Sequence, residues 1–333
     1  MCVTLQSKAP NLLQSPAMTA QAPTLTADQP RLDYVMCASP AGTHRMAYWE
    51  WGDPDNDQVL LCVHGLTRTG RDFDRMAARL SRHYRVVCPD VVGRGKSDWL
   101  LNGAGYVVPQ YAADMLTLIA RLQPGRLDWV GTSMGGLIGL ALAGTLAMSA
   151  MMRPPRGASG LAPEQTLKLG KMVLNDIGPR LNFSGLSRIA QYVAEPMRFG
   201  SFELAVDYVR TISAGFGLHD QEGWEALTRH VFTQEGDQWV KHYDLRIAEP
   251  FADQSEQTVR KSEALLWAAY ESVASPILLV RGELSDLLTA EAAQEMLRRN
   301  PHASLLDVPG VGHAPTFRSD DQIDPVEAFL LRG

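Results

Sequence analysis

The chain has few cysteines, no excess of positive charge and no long apolar run. Its four cysteines, at positions 2, 37, 62 and 88, form no Cys-x-x-Cys pair and no metal-ligand spacing, which favours reduced thiols and a cytoplasmic protein. The net charge of -6 shows no excess of Lys and Arg of the kind that nucleic-acid-binding proteins have, so we expect no nucleic-acid partner. Because no uninterrupted apolar stretch is long enough to cross a bilayer, we also expect no membrane span.

The residues that are present are those of an ordinary globular protein. Of 333 residues, 45% are hydrophobic, enough for one large α/β domain or two smaller ones. Residues 1–32 mix Pro, Ser, Thr, Gln and Ala without a basic start or an apolar run. That composition predicts a flexible N-terminal tail rather than a signal peptide.

Apolar strand patterns alternate with helical patterns over most of the chain. The stretches "QVLLCVHG" (58–65) and "YRVVCPDVV" (84–92) are continuous apolar runs, typical of strands buried on both faces of a parallel sheet. The alternation predicts an α/β fold with a mostly parallel central sheet flanked by helices, built from residues 33–177 and 274–333. Residues 178–273 are too many for a simple connection, so we expect an aromatic-rich helical cap inserted after the sixth core strand.

A serine between glycines follows one of the apolar runs. "GTSMG" (131–135) has the pattern G-x-S-x-G, with a strand before it and a helix of small residues after it. Side chains at Gly131 and Gly135 would collide with neighbouring backbone in so tight a turn. The context predicts that Ser133 is a nucleophile held in a strained conformation above the sheet.

A nucleophilic serine requires a base and an orienting acid, which follow it along the chain in this arrangement. His313 lies on the glycine-rich turn of "DVPGVGHAPTF", just past the last apolar strand, and is the expected general base. The loop after "PILLVRG" contains two candidate acids, Glu283 and Asp286, and a third, Asp176, ends the strand of "VLNDIGP". Asp286 is preferred, and Asp176 and Glu283 are the alternatives.

Acyl transfer also needs two backbone N–H donors for the oxyanion that develops. Met134 follows the nucleophile at the start of a helix, so its amide is the expected first donor. The loop after "LLCVHG" supplies the second, most plausibly the amide of Leu66. Within that loop, next to Gly65, His64 is expected to provide support through hydrogen bonds, and a simple packed histidine is the alternative.

Five motifs now occur in one order: "VHGLTRTGRDF", "PDVVGRGKSD", "VGTSMGG", "RGELSDLL" and "GVGHAP". Together they resemble the α/β-hydrolase fold in its lidded, carboxylesterase-like serine form, over residues 33–331. Within that superfamily, Ser133 disfavours the enzymes with an aspartate nucleophile. Ala314 occupies the position after the catalytic histidine, where carbon–carbon bond hydrolases of aromatic breakdown usually have Trp.

The resemblance and the residues together predict a serine hydrolase for a small-molecule carboxylic ester or thioester, with an apolar group that suits the aromatic cap. No metal or organic cofactor is expected. Carbon–carbon bond hydrolysis, enol-lactone hydrolysis and acyl transfer are alternatives that would use the same residues. A non-catalytic ligand-binding receptor is an alternative of another class, which an intact serine, acid and histidine set disfavours.

Overall fold

The computed structural model describes residues 29–152, 167, 169–180, 192–252 and 256–332. Most of the expected N-terminal tail (1–28) lies outside the described residues, and so does the Pro/Gly-rich stretch 153–165, whose composition predicts a surface loop. The same holds for residues 181–191 of the expected cap.

An eight-stranded sheet forms the centre of the protein. Its strand order is β1-β2-β4-β3-β5-β6-β10-β11. The strands are β1 (Arg31–Ser39), β2 (Gly42–Trp51), β3 (Gln58–Val63), β4 (Arg85–Pro89), β5 (Arg126–Thr132), β6 (Leu169–Asn175), β10 (Ile277–Gly282) and β11 (Ala303–Val308). β1 pairs antiparallel with β2, and β2 with β4, whereas every other pair is parallel. The predicted mostly parallel α/β fold is confirmed.

Helices cover both faces of this sheet, as the burial along β3 shows. Val59, Leu61 and Val63 belong to one apolar cluster and Leu60 and Cys62 to the other, because alternate side chains of a strand point to opposite faces. The first cluster includes side chains of α2 (Val108–Leu122) and α3 (Met134–Met151). The second includes side chains of α1 (Asp74–Leu80) and of α9 (Asp320–Leu331).

The chain between β6 and β10 is the insertion, and it is not purely helical. A three-stranded antiparallel sheet of order β7-β9-β8 lies within it. These elements are β7 (Arg198–Phe199), α4 (Phe202–Ile212), α5 (Gln221–Arg229), β8 (Phe232–Glu235), β9 (Gln238–Lys241), α6 (Glu249–Ala252) and α7 (Glu256–Glu271). The expectation of a helical block was wrong here, because a two-residue turn at Gly236, with φ of 63°, closes a β8–β9 hairpin.

The last helix of the insertion packs on the core rather than on the cap elements. Trp267 and Tyr270 of α7 share the apolar cluster that contains α3, and a Cβ at Gly144 would lie 3.0 Å from Ala269 Cβ. The expected cap range 178–273 therefore includes one helix that contacts the core. After this helix the chain returns to the central sheet as β10, and α8 (Ala290–Arg299) follows that strand.

α3 is also long and apolar enough, by length and composition, to cross a membrane. Its position accounts for that composition, since its N-terminal half packs against β5 and its glycines allow close contact. A Cβ at Gly139, for example, would collide with the Trp129 indole. Core helices of globular α/β proteins meet the same length criterion.

Candidate active site

Ser133 lies in the turn between β5 and α3, at the carboxyl edge of the sheet. Its φ of 51° and ψ of -114° are outside the regions that L-residues favour, as expected for a strained turn. A Cβ at Gly131 would clash with the Gly135 carbonyl, and a Cβ at Gly135 would clash with the Val63 carbonyl. The two glycines are therefore needed for the close approach of α3 to β3 and β5.

His313 reaches Ser133 from the loop after β11. Its Nε2 is 2.9 Å from Ser133 Oγ, and its Nδ1 is 2.7 Å from Asp176 Oδ2. A carboxylate accepts only, so the proton of a neutral imidazole lies on Nδ1 and Nε2 accepts from the serine hydroxyl. The structure thus brings together the expected serine and histidine.

The acid beside His313 is Asp176, and the preference for Asp286 is corrected. Asp176 follows β6 with a positive φ of 57°, and its side chain is fully buried. Besides His313, the Gly282 amide donates to Oδ1 at 2.8 Å and the Ser285 hydroxyl to Oδ2 at 2.6 Å. These three donors satisfy the buried carboxylate and fix its position beside His313.

The two other candidates lie on the loop after β10 with exposed side chains. Glu283 accepts a hydrogen bond from the Gly310 amide at 2.9 Å, which connects this loop to the turn after β11. Asp286 is exposed, whereas its neighbour Ser285 is buried and contacts Asp176. The loop chosen from the sequence therefore supports the acid instead of supplying it.

Ser285 is a site residue that the sequence reasoning missed. Its hydroxyl donates to Asp176 and accepts from the amides of Leu287 and Leu288, at 3.2 and 3.1 Å. Serine hydroxyls often hydrogen-bond to backbone groups nearby in the chain, so no sequence signal distinguished Ser285 from a capping residue.

The loop after β3 carries the expected second oxyanion donor, Leu66. His64 has the hydrogen bonds expected of a supporting residue: Nδ1–H donates to the Gly65 carbonyl at 2.7 Å, and Nε2 accepts from the Val91 amide at 2.9 Å. Burial lowers the pKa of His64 to about 4, so the ring is neutral at neutral pH. A Cβ at Gly65 would lie 3.7 Å from Ser133 Cβ, so a larger residue would narrow the space before the nucleophile.

Arg94, a second missed residue, connects the two expected oxyanion donors. It is fully buried, and its guanidinium donates to the Leu66 carbonyl at 2.9 Å and contacts Met134 Sδ at 3.6 Å. It also donates to the Val92 carbonyl and the Tyr111 hydroxyl. Within the part of the chain that the structure describes, no carboxylate pairs with this cation.

We expect Arg94→Met to lower kcat by about 10-fold or more while changing KM little, because it frees the loop that carries Leu66. The Leu66 carbonyl and the buried Val92 carbonyl would lose a donor, so the free energy of unfolding should also fall by about 2–4 kcal/mol. Steady-state kinetics and urea unfolding measure the two effects. A variant that loses stability but retains kcat would show that Arg94 is structural only.

A cavity of about 110 Å³ lies between the core loops and the insertion, with Ser133 and His313 in its wall. Several aromatic side chains of the insertion line it: Tyr192, Tyr208, Phe216, Phe232 and Tyr243. Sites for drug-sized ligands measure roughly 300–1,000 Å³, so this cavity suits a short substrate. No aspartate or glutamate is among the described lining residues.

One group of side chains among the described residues could hold a metal ion. The ligand atoms of Cys37, His44 and Asp114 lie within 4.8 Å of one another, all buried. His44 Nε2 is 3.0 Å from Asp114 Oδ2, and Gln110 donates to the other carboxylate oxygen at 2.8 Å. Burial raises the pKa of the Cys37 thiol to about 12, which disfavours the thiolate that metals bind. None of the three lines the cavity, and the absence of a metal requirement stays a prediction.

The sequence pattern of the alpha/beta hydrolase family matches residues 60–327. The chain therefore belongs to this family and is a hydrolase, as its fold and the expected motifs indicated.

Its relatives include enzymes named for ester cleavage. It is 49% identical over 305 residues to the 3-hydroxybutyrate-oligomer hydrolase of Cupriavidus necator, covering 90% of this chain and 98% of that protein. It is 27% identical over 259 residues to an esterase of Mycobacterium tuberculosis, covering 73% and 72%. An alpha/beta hydrolase structure from Novosphingobium aromaticivorans aligns with a TM-score of 0.75 and 29% identity, covering 91% and 98%. These similarities are consistent with a carboxylic ester hydrolase.

Proposed function

We propose that the protein is a serine esterase that cleaves short esters of hydroxyacids, such as linear 3-hydroxybutyrate oligomers. The observation that carries the proposal is the hydrogen-bonded series of Ser133, His313 and Asp176 in the wall of one small cavity. The name of the Cupriavidus relative, which aligns over 98% of its length, supports the substrate class.

In the acylation step, His313 Nε2 takes the proton of Ser133 as the oxygen attacks the ester carbonyl carbon. The amides of Leu66 and Met134 hold the developing oxyanion, and the start of α3 adds its dipole. His313 then protonates the leaving alcohol, which departs and leaves an acyl-serine.

Water then hydrolyses the acyl-serine, and the same groups transfer the protons in this second step. His313 accepts a proton from water, hydroxide attacks the acyl carbon, and Ser133 regains its hydrogen as the acid product leaves. Asp176 keeps the imidazole in the Nδ1–H tautomer and stabilises the imidazolium that forms in each step. The Gly282 amide and the Ser285 hydroxyl hold the Asp176 carboxylate in position beside the imidazole.

We also propose a cytoplasmic location. Cys37, Cys62 and Cys88 are free thiols buried in the core, as is usual in a reducing compartment. An intracellular enzyme with a small cavity would act on soluble oligomers and not on a bulk polymer.

The substrate class is tested with the linear 3-hydroxybutyrate dimer and trimer, with monomer release followed by chromatography. We expect turnover of both, and a kcat/KM that exceeds the value for a phenyl-substituted dienoate by at least about 100-fold, since a specific site discriminates strongly. Dominant cleavage of the dienoate or of an enol-lactone would overturn the proposal. Transfer of the acyl group to added alcohol in preference to water would identify an acyltransferase instead.

A further inference from the structure

The cavity beside Ser133 contains two polar groups that the proposed chemistry does not use. Lys241 ends β9, and Tyr208 lies on α4, so both belong to the insertion. Both line the cavity that Ser133 and His313 also line. Aromatic and aliphatic side chains make up most of the rest of that wall. A cation in such a wall favours ligands that carry a negative charge.

Lys241 is held in place without an anionic hydrogen-bond partner. Its ammonium donates to the carbonyls of Tyr192 and Glu195, both at 2.7 Å, and lies 5.7 and 5.6 Å from the ring centroids of Tyr208 and Tyr243. An ammonium has three donors, so one is left for a group in the cavity. Over the described ranges, no carboxylate forms a salt bridge with it.

Tyr208 has a buried hydroxyl with no hydrogen-bond partner among the residues that the structure describes. Its ring is fixed by Phe199 and Phe232, with centroid distances of 5.3 and 6.2 Å. A buried hydroxyl without a partner is unfavourable, and in native proteins such groups commonly meet a ligand or an ordered water. The Lys241 ammonium lies 5.7 Å from the centroid of the Tyr208 ring, so the cavity wall holds a cation and an O–H group on neighbouring side chains.

The other cation in the cavity wall is already neutralised. Arg68 forms two hydrogen bonds of 2.7 Å with the Asp72 carboxylate. Lys241 is therefore the cavity cation whose charge is available to a ligand, within the described residues. The site is suited to one negative charge rather than two.

We propose that Lys241 and Tyr208 bind the free carboxylate of the substrate and so select hydroxyacid esters with an ionised terminus over neutral esters. This inference rests on the proposed function. The Lys241 ammonium and the Tyr208 hydroxyl each donate to a carboxylate oxygen, and the scissile ester carbonyl lies at Ser133 in the same cavity. A linear 3-hydroxybutyrate dimer has one ester bond and one such carboxylate.

The test compares two dimers that differ only in charge: 3-hydroxybutyryl-3-hydroxybutyrate and its terminal primary amide. Lys241→Met should raise KM for the acid by about 10- to 100-fold and leave kcat/KM for the amide within about threefold, because only the acid makes a charge-assisted hydrogen bond. Lys241→Arg should retain most of the preference. Equal losses on both dimers, or no loss on the acid, would overturn the proposal.

Tyrosine variants provide a matched pair for the hydroxyl. Tyr208→Phe should raise KM for the acid several-fold without lowering the melting temperature, since the hydroxyl it removes has no partner within the described ranges. Tyr243→Phe also borders Lys241, but its hydroxyl donates to the Val193 carbonyl at 3.2 Å. It should lower stability and leave the preference between the two dimers unchanged. The reverse pattern would contradict the assignment.

The pH dependence gives a further readout of the same contact. Burial lowers the pKa of Lys241 to about 8, an effect that the Glu195 carboxylate partly opposes. Among the described residues, the phenols of Tyr208 and Tyr243 also lie beside the ammonium; burial raises the pKa of Tyr208 to about 12 and also raises that of Tyr243. The ammonium loses its proton as the pH rises, so the acid-to-amide ratio of kcat/KM should fall about tenfold from pH 7 to pH 9. In Lys241→Arg the ratio should stay flat, and a flat ratio in the wild type would count against Lys241.

Failure of the proposed function can be told apart from failure of this inference. If the wild type cleaves neither dimer, the substrate assignment fails. Inhibition of p-nitrophenyl butyrate turnover by the two dimers then tests whether Lys241 and Tyr208 bind the carboxylate. Stronger inhibition by the acid, lost in Lys241→Met, would support it. Equal inhibition by acid and amide would overturn it.

Discussion

Ser133→Ala is expected to lower kcat/KM for p-nitrophenyl butyrate and for the 3-hydroxybutyrate dimer by about 10⁴- to 10⁶-fold. The hydroxyl it removes lies 2.9 Å from His313 Nε2, and no other hydroxyl makes that contact in the described part of the chain. Without it the proposed acyl-enzyme cannot form, although the cavity and the proposed oxyanion donors remain. Hydrolysis rates and covalent labelling with a fluorophosphonate measure the loss.

The matched control for this variant is Ser133→Gly, which separates catalysis from strain. Both variants should be inactive and unlabelled, but glycine adopts φ of 51° and ψ of -114° without the cost that other residues incur there. The relief of about 1–3 kcal/mol exceeds the roughly 0.5–1 kcal/mol of extra chain entropy, so Ser133→Gly should melt no lower than Ser133→Ala. Retained activity in either variant would disprove the role of Ser133 as nucleophile.

Asp176→Asn is expected to lower kcat by about 10³- to 10⁴-fold with a smaller change in KM. An amide at this position lacks the charge that stabilises the His313 imidazolium, and it can hold the ring in the wrong tautomer. Because Gly282 and Ser285 both donate to the Asp176 carboxylate, an NH₂ group in its place would also face a donor. Single-turnover kinetics with p-nitrophenyl butyrate should show that acylation itself is slowed.

Asp286→Asn is the control that distinguishes the acid chosen from the sequence from the one that the structure places beside His313. Its side chain is exposed, so activity should stay within about threefold of the wild type, as for most surface substitutions. Circular dichroism on both variants checks that the fold is intact. A large loss in Asp286→Asn together with a small one in Asp176→Asn would reverse the assignment.

The turn that carries Ser133, the proposed nucleophile, could be predicted from the sequence because its requirements are local. A buried strand, two glycines at fixed spacing and a helix of small residues lie within about twenty consecutive residues, and each is visible as a pattern. The structure adds the reason for each glycine, since a Cβ at Gly131 or Gly135 would strike backbone oxygens. His313 was also accessible, because a glycine-rich turn follows a clear final strand.

The acid was not accessible in the same way, because its identity depends on the neighbours that two strands bring together. β6 and β10 are adjacent and parallel, with Asn175 opposite Val280, so the residues after each strand meet at one sheet edge. Asp176 turns inward with a positive φ, and the amide of Gly282 and hydroxyl of Ser285 then surround its carboxylate. Asp286, only one residue after Ser285, is exposed.

The cap shows a second limit of sequence patterns. Its aromatic content predicted apolar packing, but short strands such as Gln238–Lys241 carry too few residues for a clear alternation. The placement of Lys241 and Tyr208 in one cavity wall depends on the β8–β9 hairpin and on α4 together. Neither residue is distinguished by its sequence neighbours.

The sequence by itself determined the fold class, the tight turn at Ser133 and the glycine-rich turn at His313, because strand periodicity, glycine spacing and turn composition are properties of consecutive residues. Only the tertiary structure decided which carboxylate accepts from His313, how Arg94 connects the oxyanion loops, and which cap residues face Ser133. Those features depend on contacts between residues 28 to 137 positions apart, such as the Arg94–Leu66 and His313–Asp176 hydrogen bonds. Chain folding brings such residues together through the strand order of the sheet, and no local pattern encodes that order.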